Sequence, residues 1–402
     1  MKQYFNLFDF TQKVNYKTEI LAGFTVAMTM IPESLSFAIL AGFPPLTGLY
    51  AAFIAGLITA IFGGRPGLIS GGAGATVIVL IALMKSHGLD YVFAAVALAG
   101  ILQIFVGIFK LGKFIRLVPH PVMFGFVNGL AIIIFMSQLE QFKIIVNGQS
   151  SWISGDDLFI MLGLVTLTVG VVMFVPKLTK AVPASLIAII VVFMLVYFFG
   201  IETKTVKDIA SISGGFPPFH IPNVPVTWET LKVIFPYSLI MAAVGLTEGL
   251  LTLNLVDEIT GTKGEGNREC IAQGGSNILN GFFFGMGGCP MIAQTLVNLS
   301  AGSRTRLAGI VAALTILLIV LFGAPLIEQL PMAALVGVMV MVAIGTFEWA
   351  SLKIANKMPN HDVFVVVVVA LITILLHNLA LAVLIGVIIS ALVFAWESAK
   401  RI

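Results

Sequence analysis

The sequence predicts an all-α polytopic membrane protein of 14 transmembrane segments, a 7+7 inverted repeat with half-helices at segments 3 and 10. Three observations carry that reading: an apolar composition, two short segments at matched positions, and a weak internal repeat. The 402 residues are 59% hydrophobic and only 10% charged, with a mean hydropathy of +1.07. A soluble core of this length cannot hide so much apolar side chain, so most of it faces lipid or other helices.

Twelve apolar segments approach the roughly 20 residues that a crossing needs. The other two, Ala73 to Met84 and Pro290 to Leu299, are half that length. Each follows a glycine-rich run, GLISGGAGA from Gly67 to Ala75 and FFFGMGGCP from Phe282 to Pro290. Short, Gly/Pro-interrupted segments at corresponding positions of two halves point to the binding site of a secondary transporter.

The chain is read as one transmembrane domain over 1–402, with a first repeat at 18–201 and a second at 230–397. Leu98 to Ile101 (LAGI) recurs at Leu307 to Ile310. Pro119 and Gly125 align with Pro331 and Gly337, and Glu33 falls opposite Glu248. An odd number of segments per copy inserts the second copy upside down relative to the first. Between the copies, Glu202 to Glu229 carries Pro217, Pro218, Pro222 and Pro225, which suggests an extended external connection.

The first segment is too long for a cleaved signal and carries Pro32 and Glu33. Before it, Tyr4, Phe5, Leu7, Phe8 and Phe10 among Lys2 and Lys13 suggest a short interfacial helix. With the N-terminus in the cytoplasm, only Lys85, Lys143, Lys204, Lys207 and Lys232 of the 22 basic residues fall outside. That asymmetry places both termini in the cytoplasm, of a bacterial inner membrane protein, and reports topology rather than nucleic-acid binding.

Several features read as structural. Cys270 and Cys289 are expected to be packed thiols. The five histidines have no ligand-like spacing, so no metal site is expected, and Asn298-Leu299-Ser300 is a silent glycosylation pattern. Val363 to Leu376 looks like a lipid-facing helix.

Of 19 acidic residues, only Glu33 and Glu248 lie deep inside apolar segments. A carboxylate there must be paired, protonated or beside a wet cavity. Either it is a neutral acid bonded to nearby backbone, or it is a proton or cation site. Thr252, one turn after Glu248, offers a hydroxyl on the same face. The half-helices supply the opposite sign: their N-termini begin inside the bilayer, each with about half a positive charge and unpaired N–H groups. Facing one another, two such ends form an anion site, flanked by Ser70, Thr76, Gln294 and Thr295. Tight packing through small residues is the alternative use of the same glycines. The run lacks the lysine of a phosphate loop, which argues against nucleotide binding.

At these residues the chain resembles the SulP (sulfate permease) anion transporters. The resemblance lies in Ile31 to Phe53, Phe62 to Ala75, Leu117 to Ile132 and Gly285 to Gly309, and extends over nearly the whole chain. It implies a substrate-carrying core of segments 1–4 and 8–11, a gate of segments 5–7 and 12–14, an elevator-like movement, and a homodimer. Substrate contacts are implied at Glu33, Phe37, Ala73, Gly74, Ala75, Ala293, Gln294 and Thr295. The cation site of sodium-coupled members maps to Ala73, Glu248 and Thr252. Where several members place an arginine, this chain has Gln294, and Ala73 lacks a hydroxyl that sodium-coupled members offer. Gln294 leaves the site with helix-end charge alone, which suits a monoanion, or a dianion accompanied by a proton or cation. The missing hydroxyl at Ala73 favours a proton over sodium as the coupling ion, with no other cofactor. Members usually continue into a cytoplasmic STAS domain, and this chain is expected to be without one, ending at Ile402 just past the last segment.

The expected function is therefore secondary transport of a small anion (dicarboxylate, bicarbonate or sulfate) in a lipid bilayer. A nucleobase–cation symporter on the same fold would want acidic groups on segments 8 and 10, and segment 10 offers only Gln294. A passive anion channel would be unable to concentrate its substrate. An enzyme would need a nucleophile–base pair or metal spacing, which the sequence lacks.

Overall fold

The computed structural model describes residues 15–112, 119–146, 149–178, 184–208, 214–354, 359–376 and 379–400. The interfacial helix expected around residues 4–13 lies outside them.

Helix α1 (Tyr16–Leu40) starts at Asn15, whose side chain accepts the Thr18 N–H, and it stops at Gly42, where φ is +76°. Pro44 and Pro45 open α2 (Pro45–Phe62). A two-residue strand, β1 (Ser70–Gly71), leads into α3 (Gly74–His87). Then come α4 (Leu89–Ile108), α5 (His120–Leu139), the hairpin β2 (Lys143–Val146) and β3 (Gln149–Trp152), α6 (Asp156–Leu178) and α7 (Ala184–Phe199).

The second half opens with α8 (Trp228–Thr260), capped by Thr227, and α9 (Gly266–Phe282). Strand β4 (Cys289–Pro290) feeds α10 (Ile292–Ser300), only nine residues long. After it run α11 (Leu307–Phe322), α12 (Ala324–Glu328), α13 (Met332–Thr346), α14 (Trp349–Ile354), α15 (Asn360–Leu376) and α16 (Leu379–Lys400).

Six described helices, α1, α2, α4, α5, α6 and α8, are long and apolar enough to cross a membrane. Shorter apolar helices, including α3, α7, α11, α13 and α15, fill out the expected series.

The helices pack in two groups. In one, α4 lies against α8 and α9, α1 and α2 against α11, and α3 against α8. In the other, α5 packs on α13, α15 and α16, and α6 on α7 and α13. The α4–α9 crossing is close because a Cβ on Gly100 would stand 2.7 Å from the Ile278 nitrogen. The run Val363 to Leu376 does not only face lipid. Val365, Val369 and Thr373 of α15 are fully buried, since Gly125 and Gly129 let α5 approach them.

Polar clasps join the two halves of the chain at one end of the first group. Glu19 of α1 accepts from the Ser303 hydroxyl at 2.8 Å and from the N–H groups of Arg304, Thr305 and Ala308, capping the start of α11. Arg306 donates to the carbonyls of Ala60 and Gly63, at the end of α2. Glu269 accepts the Gly64 N–H at 2.8 Å, and Arg65 pairs with Asp257 at 3.2 Å. Glu19 and Glu269, each just outside an apolar segment, are as buried as Glu33. Glu19 is satisfied by the N–H groups at the start of α11, whereas Glu269 accepts only the Gly64 N–H and keeps its other oxygen buried without a partner.

The long connection is tied at both ends. The Val206 N–H donates to the Leu330 carbonyl at 3.0 Å, and the Met332 N–H to the Lys204 carbonyl at 2.8 Å. Further on, Tyr50 donates to the Gly215 carbonyl, and His220 meets Asp90 at 2.6 Å.

Candidate functional site

The half-helices meet at a two-rung ladder. Strands β1 and β4 pair antiparallel, Ser70 with Pro290 and Gly71 with Cys289. Each strand runs directly into its helix, so α3 and α10 leave in opposite directions with their N-termini at the ladder. The N-cap positions, Ala73 and Met291, are extended and make no side-chain cap. The first N–H groups of both helices therefore lack intrahelical partners, and the positive ends of two helix dipoles converge. Glycine is required for this approach, since a Cβ on Gly288 would fall on the Gly71 carbonyl.

Helix α1 lays Glu33 and Phe37, one turn apart and both buried, against this junction. The Phe37 ring covers Gly74 so closely that a Cβ there would stand 2.6 Å from its Cζ. The Gln294 amide donates to the Glu33 carboxylate, and the Gln294 Oε1 is buried with no hydrogen-bond partner. Glu33, Phe37, Gly74 and Gln294 thus come together, with Ala73 and Ala75 buried beside them.

The other expected residues take different places. Ala293 shares the exposed face of α10 with Ile292 and Leu296, so it can offer the site its N–H rather than its side chain. Thr295 uses its hydroxyl to accept the Ile69 N–H at 3.1 Å, which ties the ladder together. Ser70 lines a narrow apolar gap with Met30, Ala52, Gly56 and Ile316, and its hydroxyl has no partner. Thr76 donates to the Ala73 carbonyl at 3.0 Å.

Glu248 is half-buried on α8, and Cys289 donates its S–H to the Glu248 carboxylate at 3.2 Å. Cys289 is therefore more than packing. Its place next to Pro290, inside a glycine-rich run, was the available sign. Thr252 spends its hydroxyl proton on the Glu248 backbone carbonyl at 2.7 Å, not on the carboxylate. Asn298 donates to the Gly67 carbonyl at 2.9 Å, and Asn277 meets Gly288; neither contact is visible in sequence spacing.

The junction is closed along one half-helix and open along the other. Every residue from Gly67 to Leu80 is buried, whereas α10 exposes Ile292, Ala293 and Leu296. The junction itself gathers N–H donors, one carboxamide and one carboxylate beside the apolar Phe37, all of these side chains buried.

The sequence and the fold are similar to those of known proteins. The model of the "Sulfate permease family" matches residues 16–369. YbaR of Bacillus subtilis (strain 168), which carries a provisional sulfate-transporter name, is 43% identical over 96% of this chain and 78% of that protein. The bicarbonate transporter BicA of Picosynechococcus is 30% identical over 94% of this chain and 71% of its own. Among solved structures, the transmembrane domain of a cyanobacterial BicA superposes with a TM-score of 0.79 at 29% identity, covering 92% of this chain and 98% of that one. SLC26A9 shares the fold, with a TM-score of 0.78 at 19% identity over 96% of this chain and 67% of that one.

Proposed function

Since the chain belongs to the sulfate permease family of anion transporters, we propose that it is a proton-coupled symporter of a dicarboxylate, bicarbonate or sulfate. It is a multi-pass membrane protein and not an enzyme. The observation that carries the finer reading is the convergence of two uncapped helix starts beside the Glu33 carboxylate.

Those N–H groups attract an anion without any basic side chain. A charged Glu33 sits in the same field and acts as a tethered anion that competes with the substrate. A proton on Glu33 removes that competitor, so proton and anion bind together. Glu248, held by the neutral Cys289 thiol, is the second acid on the path. Neither a cysteine sulfur nor Ala73 is the hard oxygen ligand that sodium prefers, which supports the proton.

The site residues are then Glu33, Phe37, Ala73, Gly74, Ala75, Gln294 and the N–H of Ala293, with Thr295 and Ser70 shaping the ladder. Movement of the α1–α4 and α8–α11 group against the α5–α7 and α13–α16 group carries the site across the membrane. The excess of Lys and Arg on one side supports a cytoplasmic location for both termini, and family analogy supports a homodimer.

Uptake of labelled fumarate, bicarbonate and sulfate into proteoliposomes, with and without an inward proton gradient, tests the proposal. Concentrative uptake that follows the gradient supports it, and Glu248→Gln should weaken that dependence. Uptake that only equilibrates indicates a channel. Entry of uracil in place of all three anions overturns the anion reading.

A further inference from the structure

Strand β4 has two edges, and β1 occupies one of them through Cys289 and Gly71. Along an extended chain the polar groups of successive residues point to opposite sides. The N–H and C=O of Gly288 therefore face away from β1, and both meet the side chain of Asn277. The Gly288 N–H donates to Asn277 Oδ1 at 2.9 Å, and Asn277 Nδ2 donates to the Gly288 carbonyl at 3.0 Å. The second hydrogen of Nδ2 goes to Gln103 Oε1 on α4, at 2.8 Å. Asn277 and Gln103 are fully buried. One carboxamide thus imitates a neighbouring strand, with its donors and its acceptor all engaged.

The other loop at the junction is held differently. Gly67 and Ile69, ahead of α3, are bound by Asn298 and Thr295, which lie on α10 itself. That loop follows α10 wherever it goes. By contrast, β4 is fastened by Asn277 to α9, which packs along α4, and by the Cys289–Glu248 contact to α8. Of these two side-chain ties, Asn277 is the one that holds the backbone of the strand.

We propose that Asn277 is a positioning residue of the anion site. It touches no substrate; by holding Gly288 it sets where the first N–H groups of α10 stand relative to those of α3. The inference rests on those N–H groups being the seat of the anion.

The test is KM and maximal rate for labelled sulfate, bicarbonate and fumarate in proteoliposomes, for the wild type, Asn277→Ala, Asn277→Asp and Gln103→Ala. Rates are taken per correctly folded transporter, counted by size-exclusion chromatography and thermal melting. Asn277→Ala should raise KM about tenfold, the scale of one or two lost buried hydrogen bonds, with a smaller change in maximal rate. It should also alter the ratio of KM values between the three anions. Asn277→Asp keeps the acceptor for the Gly288 N–H but loses the donors, so its KM should rise less, and Gln103→Ala should rise least. A KM within about twofold of wild type in folded Asn277→Ala overturns the proposal, as does a loss confined to maximal rate. If Asn277→Ala does not fold, unchanged KM values in both other variants overturn it equally. If the wild type carries uracil and none of the anions, the anion reading has failed instead, and the KM for uracil in the same variants still decides the role of Asn277.

Discussion

The side-chain amide of Gln294 donates to the carboxylate of Glu33, joining the second half of the chain to the first beside the converging helix ends. The contact makes the glutamate a resident of the site. It also leaves the Gln294 oxygen buried without a partner.

Glu33→Gln should therefore separate binding from coupling. The variant keeps the shape of the side chain and cannot release a proton. Anion uptake should persist, but its dependence on an inward proton gradient should vanish. Uptake rates with and without that gradient, at fixed anion concentration, check this.

Gln294→Arg should change selectivity. A guanidinium there pairs with Glu33 and adds positive charge where the helix ends now act alone. Affinity for sulfate should rise relative to bicarbonate, by about tenfold, as expected for a charge-assisted hydrogen bond in a buried site. Competition of each anion against labelled sulfate measures the ratio.

Gly288→Ala and Gly275→Ala make a controlled pair. The first places a methyl group on the Gly71 carbonyl, while the second meets nothing within 4 Å. Gly288→Ala should lower the melting temperature and abolish concentrative uptake. Gly275→Ala, inside α9, should leave transport intact and stabilise the protein by about 0.5–1 kcal/mol.

Glu19→Ala removes an acceptor used by four donors at the start of α11. A loss of about 3 kcal/mol is expected from the orphaned buried groups, with a partial loss for Glu19→Gln. Thermal melting in detergent reads both.

Outside the membrane, the Thr205 N–H and hydroxyl hold the Asp208 carboxyl below the usual carboxylate range. A depressed folded value means that the contribution is present above the ordinary value, near pH 4, and is lost as pH falls below it. The Val206–Leu330 tether should loosen only in strong acid, and Asp208→Asn should remove that acid dependence. Amide exchange at residues 204–208 follows it.

Much of the junction was legible because its chemistry is local. Half-length apolar segments behind glycine runs mark helix starts inside the bilayer, and a lone Glu33 in an apolar helix stands out by its cost. What escaped depends on partners distant in the chain. Asn277 reads as an ordinary polar residue until Gly288 is folded against it, and Cys289 as a packed thiol until α8 brings Glu248 to it. Glu19 and Glu269 escaped because helix ends look like loops in a hydropathy profile. The apolar run of α15 hid its buried face, since valine serves lipid and protein neighbours alike.

The clasps between the two halves of the chain bear on how the protein is made. Glu19 emerges from the ribosome nearly three hundred residues before Ser303 and Ala308, and Gly64 about two hundred before Glu269. During synthesis the first half of the chain enters the membrane with a carboxylate and backbone groups that have no permanent partners. Its ladder strand likewise waits for Cys289 and Pro290. The first four helices are therefore held as an open assembly until Ala308 has been made, and the site closes into shape only after the later helices that carry its partners have joined them.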